Sequence, residues 1–340
     1  MVAYPTERRR VVTGPQVPLV SILMPVFNAE AYLAAAVESI WQQTHTHIEI
    51  VAVDDGSSDG SGTLLESLRI RSPLPFRTIR QENSGPSAAL HLALSQARGE
   101  WICWLAADDY YHPDFVAANL AEAAKLSRSD LVLHCNGYLI ENDGSITGTM
   151  DGISKLKPLR GHAFEQRLAG DSRMLPCTMF VRRVELERIG GFDPLMWAED
   201  IDLFLRIGRH CWIEYITTPL FYSRYTPGSL GKKPWLFGSD VLASLEKHAD
   251  LLGPSLPGWR ARACENVAVA CALNGQWSHA KTWLGNALDQ GAGVRVETLT
   301  LIRFIGRVSV VAARRTAIAT LGRERLVRWK RRLLKQPTTA

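Results

Sequence analysis

Four short apolar runs alternate with helix-like stretches over the first third of the chain, and that order leaves few architectures open. The runs are Val20 to Val26, Ile48 to Val53, Phe76 to Ile79 and Trp101 to Leu105. Between them, a helix is expected from PVFNAE through about Gln43, with Ala31, Leu33, Ala36, Val37 and Ile40 on its apolar face. Two more are expected over Thr63–Arg71 and Ser87–Ala97. Strands that alternate with helices in this way predict a mostly parallel sheet with helices on both faces. Ile48 to Val53 is apolar without a break, as a strand buried on both faces would be.

Two of these strands run into adjacent carboxylates: Asp54-Asp55 in IEIVAVDDGSSDG and Asp108-Asp109 in WICWLAADDYYHPD. Paired like charges repel and cost free energy to desolvate, so a buried strand has little structural reason to end in them. In an open α/β sheet the strand carboxyl ends are where ligands bind. The pairs therefore point to a site for a metal ion and a ligand with its own negative charge. The competing readings are local: Asp-Gly-Ser is good turn chemistry, and Asp108-Asp109 could cap the helix near Pro113. A glycine-cradled phosphate is excluded. The first strand–helix turn, PVFNAE, has no glycine, and no GxxxxGK[ST] stretch occurs.

Beyond Pro113 we expect a helix to about Lys125, a strand at Leu131–Cys135, and a hairpin in NGYLIENDGSITG around its Asn-Asp-Gly turn. A polar stretch to Arg173 precedes a strand at Cys177–Val181, a GGFDP turn, a helix over Glu199–Arg209 and a strand at Trp212–Thr217. TPGSLGKK reads as a mobile loop. From about Leu236 the pattern is helical only. ARACENVAVACALNG and SHAKTWLGNALDQG form a helical hairpin with Asn274-Gly275 as the stop. One such pair is similar to a single tetratricopeptide unit, which cannot make a solenoid alone, so packing onto the preceding domain is its expected role. The resulting division is an arm (1–17), an α/β domain (18–235), a helical extension (236–292) and a basic amphipathic region (293–340).

The six cysteines are scattered with no CxxC pair, which predicts buried free thiols in a reducing compartment. MVAYPTERRR is not a secretory signal, and no apolar run reaches the ~18 residues of a membrane span, so a cytoplasmic protein is expected. The net charge of +5 is unevenly distributed. Residues 303–340 carry eleven Lys/Arg against Glu324, or +10, which leaves −5 for the rest. A basic apolar stretch of this kind suits an anionic membrane surface. The alternative is a solvated basic helix docked on the mildly acidic core. Nucleic-acid binding has only charge behind it and no recognition motif.

Taken in order, VSILMPVFNAE, IEIVAVDDGSSDGS, ENSGPSAAL, ARGEWICWLAADD, GGFDP and AEDIDLFLR resemble the family 2 glycosyltransferases of the GT-A fold, over about residues 18–232. The resemblance implies a Rossmann-like α/β sheet and inverting transfer of a sugar from a nucleotide-diphosphate donor, expected to be a UDP-sugar. It implies a hydroxyl acceptor on a lipid-linked, envelope or exopolysaccharide glycan. Carried across, Pro25, Phe27 and Glu30 line the nucleotide pocket, and Asp54 and Asp55 lie beneath the uracil or ribose. Asp108 and Asp109 hold Mg²⁺ or Mn²⁺ against the diphosphate. Glu199-Asp200 is the late acidic pair, with Asp200 as general base. Trp197 borders the acceptor side, where the competing reading is packing. Asp202 reads instead as a structural partner for Arg206.

Three departures qualify this. LDxDD reads LAADD, with Ala106 replacing an acid; ARN reads Ala89-Leu90-His91; and RxH reads Arg224-Tyr225-Thr226. Arg224, Lys232 and Lys233 are candidates to replace the missing positive charge from a loop closing over the donor. Ala106 and Thr226 are also what a catalytically inactive binding or scaffold subunit would show. A nucleotidyltransferase shares the metal-and-acid logic but would need a Gly-rich phosphate loop after the first strand.

Overall fold

The computed structural model describes residues 17–290, apart from 155, 170, 171, 225 and 227–232. The expected alternation forms β1 (Val20–Val26), α1 (Leu33–Trp41), β2 (Ile48–Asp54), α2 (Ser61–Arg71), β3 (Phe76–Arg80), α3 (Pro86–Gln96) and β4 (Trp101–Trp104). These are followed by β5 (Tyr110–Tyr111), α4 (Phe115–Leu126), β6 (Leu131–Ile140) and β7 (Ile146–Thr149). Short elements come next: α5 (Met150–Ile153), β8 (Lys157–Pro158), α6 (Phe164–Ala169), β9 (Ser172–Arg173), β10 (Phe180–Arg182) and α7 (Arg183–Arg188). The chain continues with α8 (Ile201–His210), β11 (Trp212–Arg224), α9 (Gly238–Lys247), α10 (Ala249–Leu252), α11 (Leu256–Leu273) and α12 (Trp277–Asp289).

The main sheet runs β3-β2-β1-β4-β10-β6-β11-β5, with β7 paired to β6. β3, β2, β1 and β4 are mutually parallel, as is the β6–β11 pair, whereas β10 runs antiparallel between β4 and β6. The chain builds outward from β1 to β3 and then returns to place β4 on the other side of β1. That reversal opens a crevice at the carboxyl ends of β1 and β4, the position where doubly wound sheets take ligands. Every residue of β2 is buried, which explains why its sequence lacks alternation. α1 covers the sheet with Leu33, Ala36, Val37 and Ile40, and α3 with Ala89, Leu90, Ala93 and Leu94.

A buried polar knot supports the opposite end of these strands. The Glu49 carboxylate accepts from the Ser21 hydroxyl and the Arg98 amide, both at 2.6 Å, and Ser21 Oγ accepts from the Gly99 amide at 2.8 Å. Removing the carboxylate would leave buried donors without partners. Glu49→Ala is therefore expected to cost about 1–3 kcal/mol, read as a lowered urea midpoint with an unchanged slope. An unchanged midpoint would contradict this.

Some expectations shift. The first helix begins at Leu33, because Asn28 takes a positive φ of 48° and its side-chain oxygen accepts from the Ser58 amide, holding PVFNAE as a loop. The expected Cys177–Val181 strand opens as a 3-10 turn at Pro176–Thr178, and the strand itself is Phe180–Arg182. β11 runs on from Thr217 to Arg224, with irregular register around Pro219. The stretch expected to be polar loop contains α6, which packs on α8. The hairpin turn is as expected, with Gly144 at φ +87° and Glu141 bonded to Ser145. All six cysteines are free and buried. Asp202 pairs with Arg206 at 2.7 Å.

At the C-terminal side, α11 and α12 form the expected hairpin, with Gly275 at φ +76° between them. Leu245, Leu252 and Ala263 form a small core that Phe164 and Leu168 of α6 complete, joining these helices to the α/β unit. Among the described residues, no helix is long and apolar enough to cross a membrane. The 1–16 part of the arm and the basic stretch from 293 lie outside the described residues.

Candidate active site

Asp54 closes β2, and Asp55 follows it; both are 3% exposed. Asp54 accepts from the Ser57 amide and from Arg80, each at 2.9 Å. Asp55 is more heavily committed. Its Oδ1 accepts from Gln81 Nε2 (2.7 Å) and the Ser84 amide (2.8 Å), and its Oδ2 from the Gly85 amide (2.9 Å). A carboxylate has about four acceptor positions, so one remains for an N–H of a ligand. The same bonds anchor the ENSGP loop over the crevice. Gly56 approaches Asn83 so closely that a Cβ would lie 2.8 Å from its backbone nitrogen, so the DDG turn needs glycine there.

Phe27 leaves the end of β1 with 49% of its surface exposed, so it is not packed in the core. Pro25 is half-buried within β1. Glu30 is exposed, and its carboxylate takes the Gly60 amide at 2.9 Å, tying the loop after β1 to the start of α2.

Asp108 and Asp109 follow β4. Asp109 is 9% exposed and its Oδ1 accepts from the Arg224 amide at 2.8 Å, while Asp108 Oδ2 accepts from the Thr226 hydroxyl at 3.2 Å. Burial, and secondarily the Asp108 charge, holds the Asp109 carboxyl well above the ordinary carboxylate range. Asp108 is raised by burial as well. Two hard oxygen ligands whose charges repel in a sheltered place fit a divalent cation that also binds substrate phosphates. Among the described residues no cluster of three His, Cys, Asp or Glu is present, so substrate oxygens would complete the coordination. The RxH position lands at this pair after all, through the Arg224 backbone and Thr226.

Arg224 lies beside this pair. Its guanidinium donates to the carbonyls of Asp108 (3.0 Å), Glu141 (3.1 Å) and Asn142 (2.8 Å) and lies over the Tyr32 and Tyr110 rings. In this arrangement it braces the acid pair and the β6–β7 turn. Lys232 lies outside the described residues.

Glu199 and Asp200 come from the loop between GGFDP and α8. Asp200 precedes α8 but makes no side-chain cap bond, so its carboxylate is not there to close the helix. Arg167 of α6 lies 4.0 Å from it. Burial raises the Asp200 carboxyl, with the Arg167 charge opposing; Glu199 is raised by burial and by the Asp200 charge. The Cys177 thiol is pushed well up by burial and then by the charges of Asp109 and Glu199. Tyr111 Oη lies 2.7 and 2.9 Å from the carbonyls of Trp104 and Cys177, fixing the end of β4 to that same segment. Trp197 is 41% exposed and packs on Gly85, placing the acidic loop against the one that Asp55 anchors.

The sequence reading missed Asp240. Its buried carboxylate, on α9, accepts from both the Trp197 and Ala198 amides at 2.8 Å. The available signal was faint: Asp240, Ser244 and Lys247 recur at helical spacing on a stretch read only as helical.

A sheet of this topology, flanked by helices, is the GT-A fold. The chain belongs to glycosyl transferase family 2: the family model matches residues 21–190. A Rickettsia felis protein described as an uncharacterized glycosyltransferase is 31% identical over 227 residues, covering 64% of this chain and 36% of that one. The putative glycosyltransferase EpsH of Bacillus subtilis is 29% identical over 214 residues, covering 62% and 61%. The chain thus spans from about a third to under two thirds of the length of these relatives. Among solved structures, Staphylococcus aureus TarS 1–349 in complex with UDP-GlcNAc aligns with a TM-score of 0.54 at 17% identity, over 82% of this chain and 93% of that one. The mannosyltransferase PcManGT of Pyrobaculum calidifontis, in complex with GDP-Man and Mn²⁺, aligns with a TM-score of 0.53 at 18% identity, over 94% and 88%. At these identities the structural likeness speaks for the fold.

Proposed function

We propose that this protein is a metal-dependent inverting glycosyltransferase that moves a sugar from a UDP-sugar to an acceptor hydroxyl. The observation that carries the reading is that the loop bearing Glu199-Asp200 docks, through the Trp197 ring, on Gly85, whose amide Asp55 holds. Asp108-Asp109 suits the diphosphate, and Glu199-Asp200 supplies the proton acceptor. Asp54, Asp55 and Phe27 take the nucleotide, with the remaining acceptor position of Asp55 on a base N–H. Bound TarS and PcManGT show nucleotide sugars, and in the latter Mn²⁺, on this fold.

Asp108 and Asp109 would hold Mg²⁺ or Mn²⁺, which supplies positive charge against the departing diphosphate. The protein's own residues do the rest. Asp200 accepts the proton of the attacking hydroxyl, and Glu199 keeps that base in a sheltered, charge-rich setting. Inversion is a single displacement, so no protein nucleophile is required. Ala106 leaves the two-acid cation site intact. The acceptor we infer is a lipid-linked or envelope glycan, and the basic 303–340 stretch fits work at the inner membrane surface.

Isothermal titration with UDP tests the donor half. Binding should strengthen at least about tenfold with Mn²⁺; no metal-dependent binding would favour the inactive scaffold. The raised Glu199–Asp200 pair also sets a pH expectation. A base works only when deprotonated, so the acid limb of kcat/KM should fall well above the pKa of about 4 of an isolated carboxylate. An acid limb near that ordinary value would contradict the assignment.

A further inference from the structure

α9 lies beyond the family match, yet it touches the reactive loop at every turn. Asp240, Ser244 and Lys247 fall on one face at i, i+4 and i+7. Asp240 accepts the Trp197 and Ala198 amides, both at 2.8 Å. Ser244 Oγ donates to the Asp240 carbonyl at 2.7 Å and meets Met196 Sδ at 3.9 Å. Lys247 pairs with Asp193 of GGFDP and, at 3.2 Å, with Asp202 in the first turn of α8. The loop from Asp193 to Asp200 is irregular, and its own backbone bonds are few: the Met196 amide reaches the Asp193 carbonyl at 3.2 Å. A segment with so little internal bonding takes its shape from whatever it is docked against.

We infer that Asp240, with Ser244 and Lys247, positions the Trp197–Asp200 segment for reaction, so that α9 is a working part of the active site. This rests on the reading of Asp200 as the base. The two amides that Asp240 captures lie two and three residues before Asp200; the segment's other holds are the Trp197 ring on Gly85 and Arg167, 4.0 Å from Asp200. The grip is a single carboxylate oxygen taking two N–H groups from successive residues, which fixes the direction in which the chain enters α8. Lys247 closes the other side by bridging the residues at both ends of the loop. A misplacement of about 1 Å at a reacting group can cost about a hundredfold in rate.

The test uses the full chain and three variants, Asp240→Ala, Asp240→Asn and Lys247→Met. Hydrogen exchange is followed over residues 193–202, UDP affinity is measured with Mn²⁺, and turnover is measured on whichever nucleotide sugar the wild type consumes. Asp240→Ala should speed exchange in 193–202 and lower kcat about ten- to a hundredfold, with UDP affinity within about threefold. Asp240→Asn keeps an oxygen that can accept both amides and should restore protection and most of kcat. Lys247→Met leaves that double bond in place and should show a smaller change in the same direction, which keeps the test open if Asp240→Ala does not fold. Unchanged protection of 193–202 in Asp240→Ala overturns the inference. So does faster exchange with unchanged kcat while Asp200→Asn is inactive. If Asp200→Asn is active as well, the base assignment has failed instead, and the exchange data alone judge the docking.

Discussion

Asp200→Asn is expected to lower sugar transfer about 10²–10⁴-fold while leaving UDP affinity and the melting temperature near those of the wild type. The carboxylate makes no cap bond to α8, and its nearest charged partner, Arg167, is 4.0 Å away. Little structure depends on it, so the loss should fall on kcat. Asparagine retains the shape and removes the basicity. If turnover of the productive donor stays within about threefold of wild type, Asp200 is not the base.

Asp109→Asn, unlike Asp200→Asn, should change stability, and its effect on function should be equally large. Asp109 is 9% exposed beside a second carboxylate, and its carboxyl is held well above the ordinary range. A folded-state pKa above the unfolded value means that the folded chain holds this proton more tightly. Its stabilising effect is complete below the unfolded pKa and is lost as pH rises through the folded one. At neutral pH the ionised group is therefore a liability unless a cation compensates it. Asparagine removes the charge and keeps an oxygen for the Arg224 amide. Without metal, the variant should melt about 2–5 °C above wild type at pH 7, with the gap closing near pH 4. Metal-dependent UDP binding should disappear. A variant that melts lower, or still binds UDP in response to Mn²⁺, would show that Asp109 is structural.

Legibility of the sequence followed the length over which each signal acts. β1, β2 and the acids after β2 and β4 were readable because strand, turn and charge lie within a few residues of one another. The same locality gave Asp202–Arg206, one helical turn apart. The bracing contacts of Arg224 were not legible because they depend on Asp108 and Glu141, which only the pairing of β11 with β6 and β5 brings near. Helix propensity in PVFNAE lost to the long-range bonds of Asn28 with Ser57 and Ser58. Asp240 stayed hidden for a similar reason. Nothing near it in the chain shows that its carboxylate turns toward amides 42 and 43 residues away.

The most direct test of the central claim is UDP release from a panel of nucleotide sugars, with and without Mn²⁺. The account predicts that at least one UDP-sugar is consumed, that Mn²⁺ raises the rate at least about tenfold, and that Asp109→Asn and Asp200→Asn are both inactive on it. No turnover of any nucleotide sugar by the wild type under either condition, with no metal-dependent UDP binding, would contradict it.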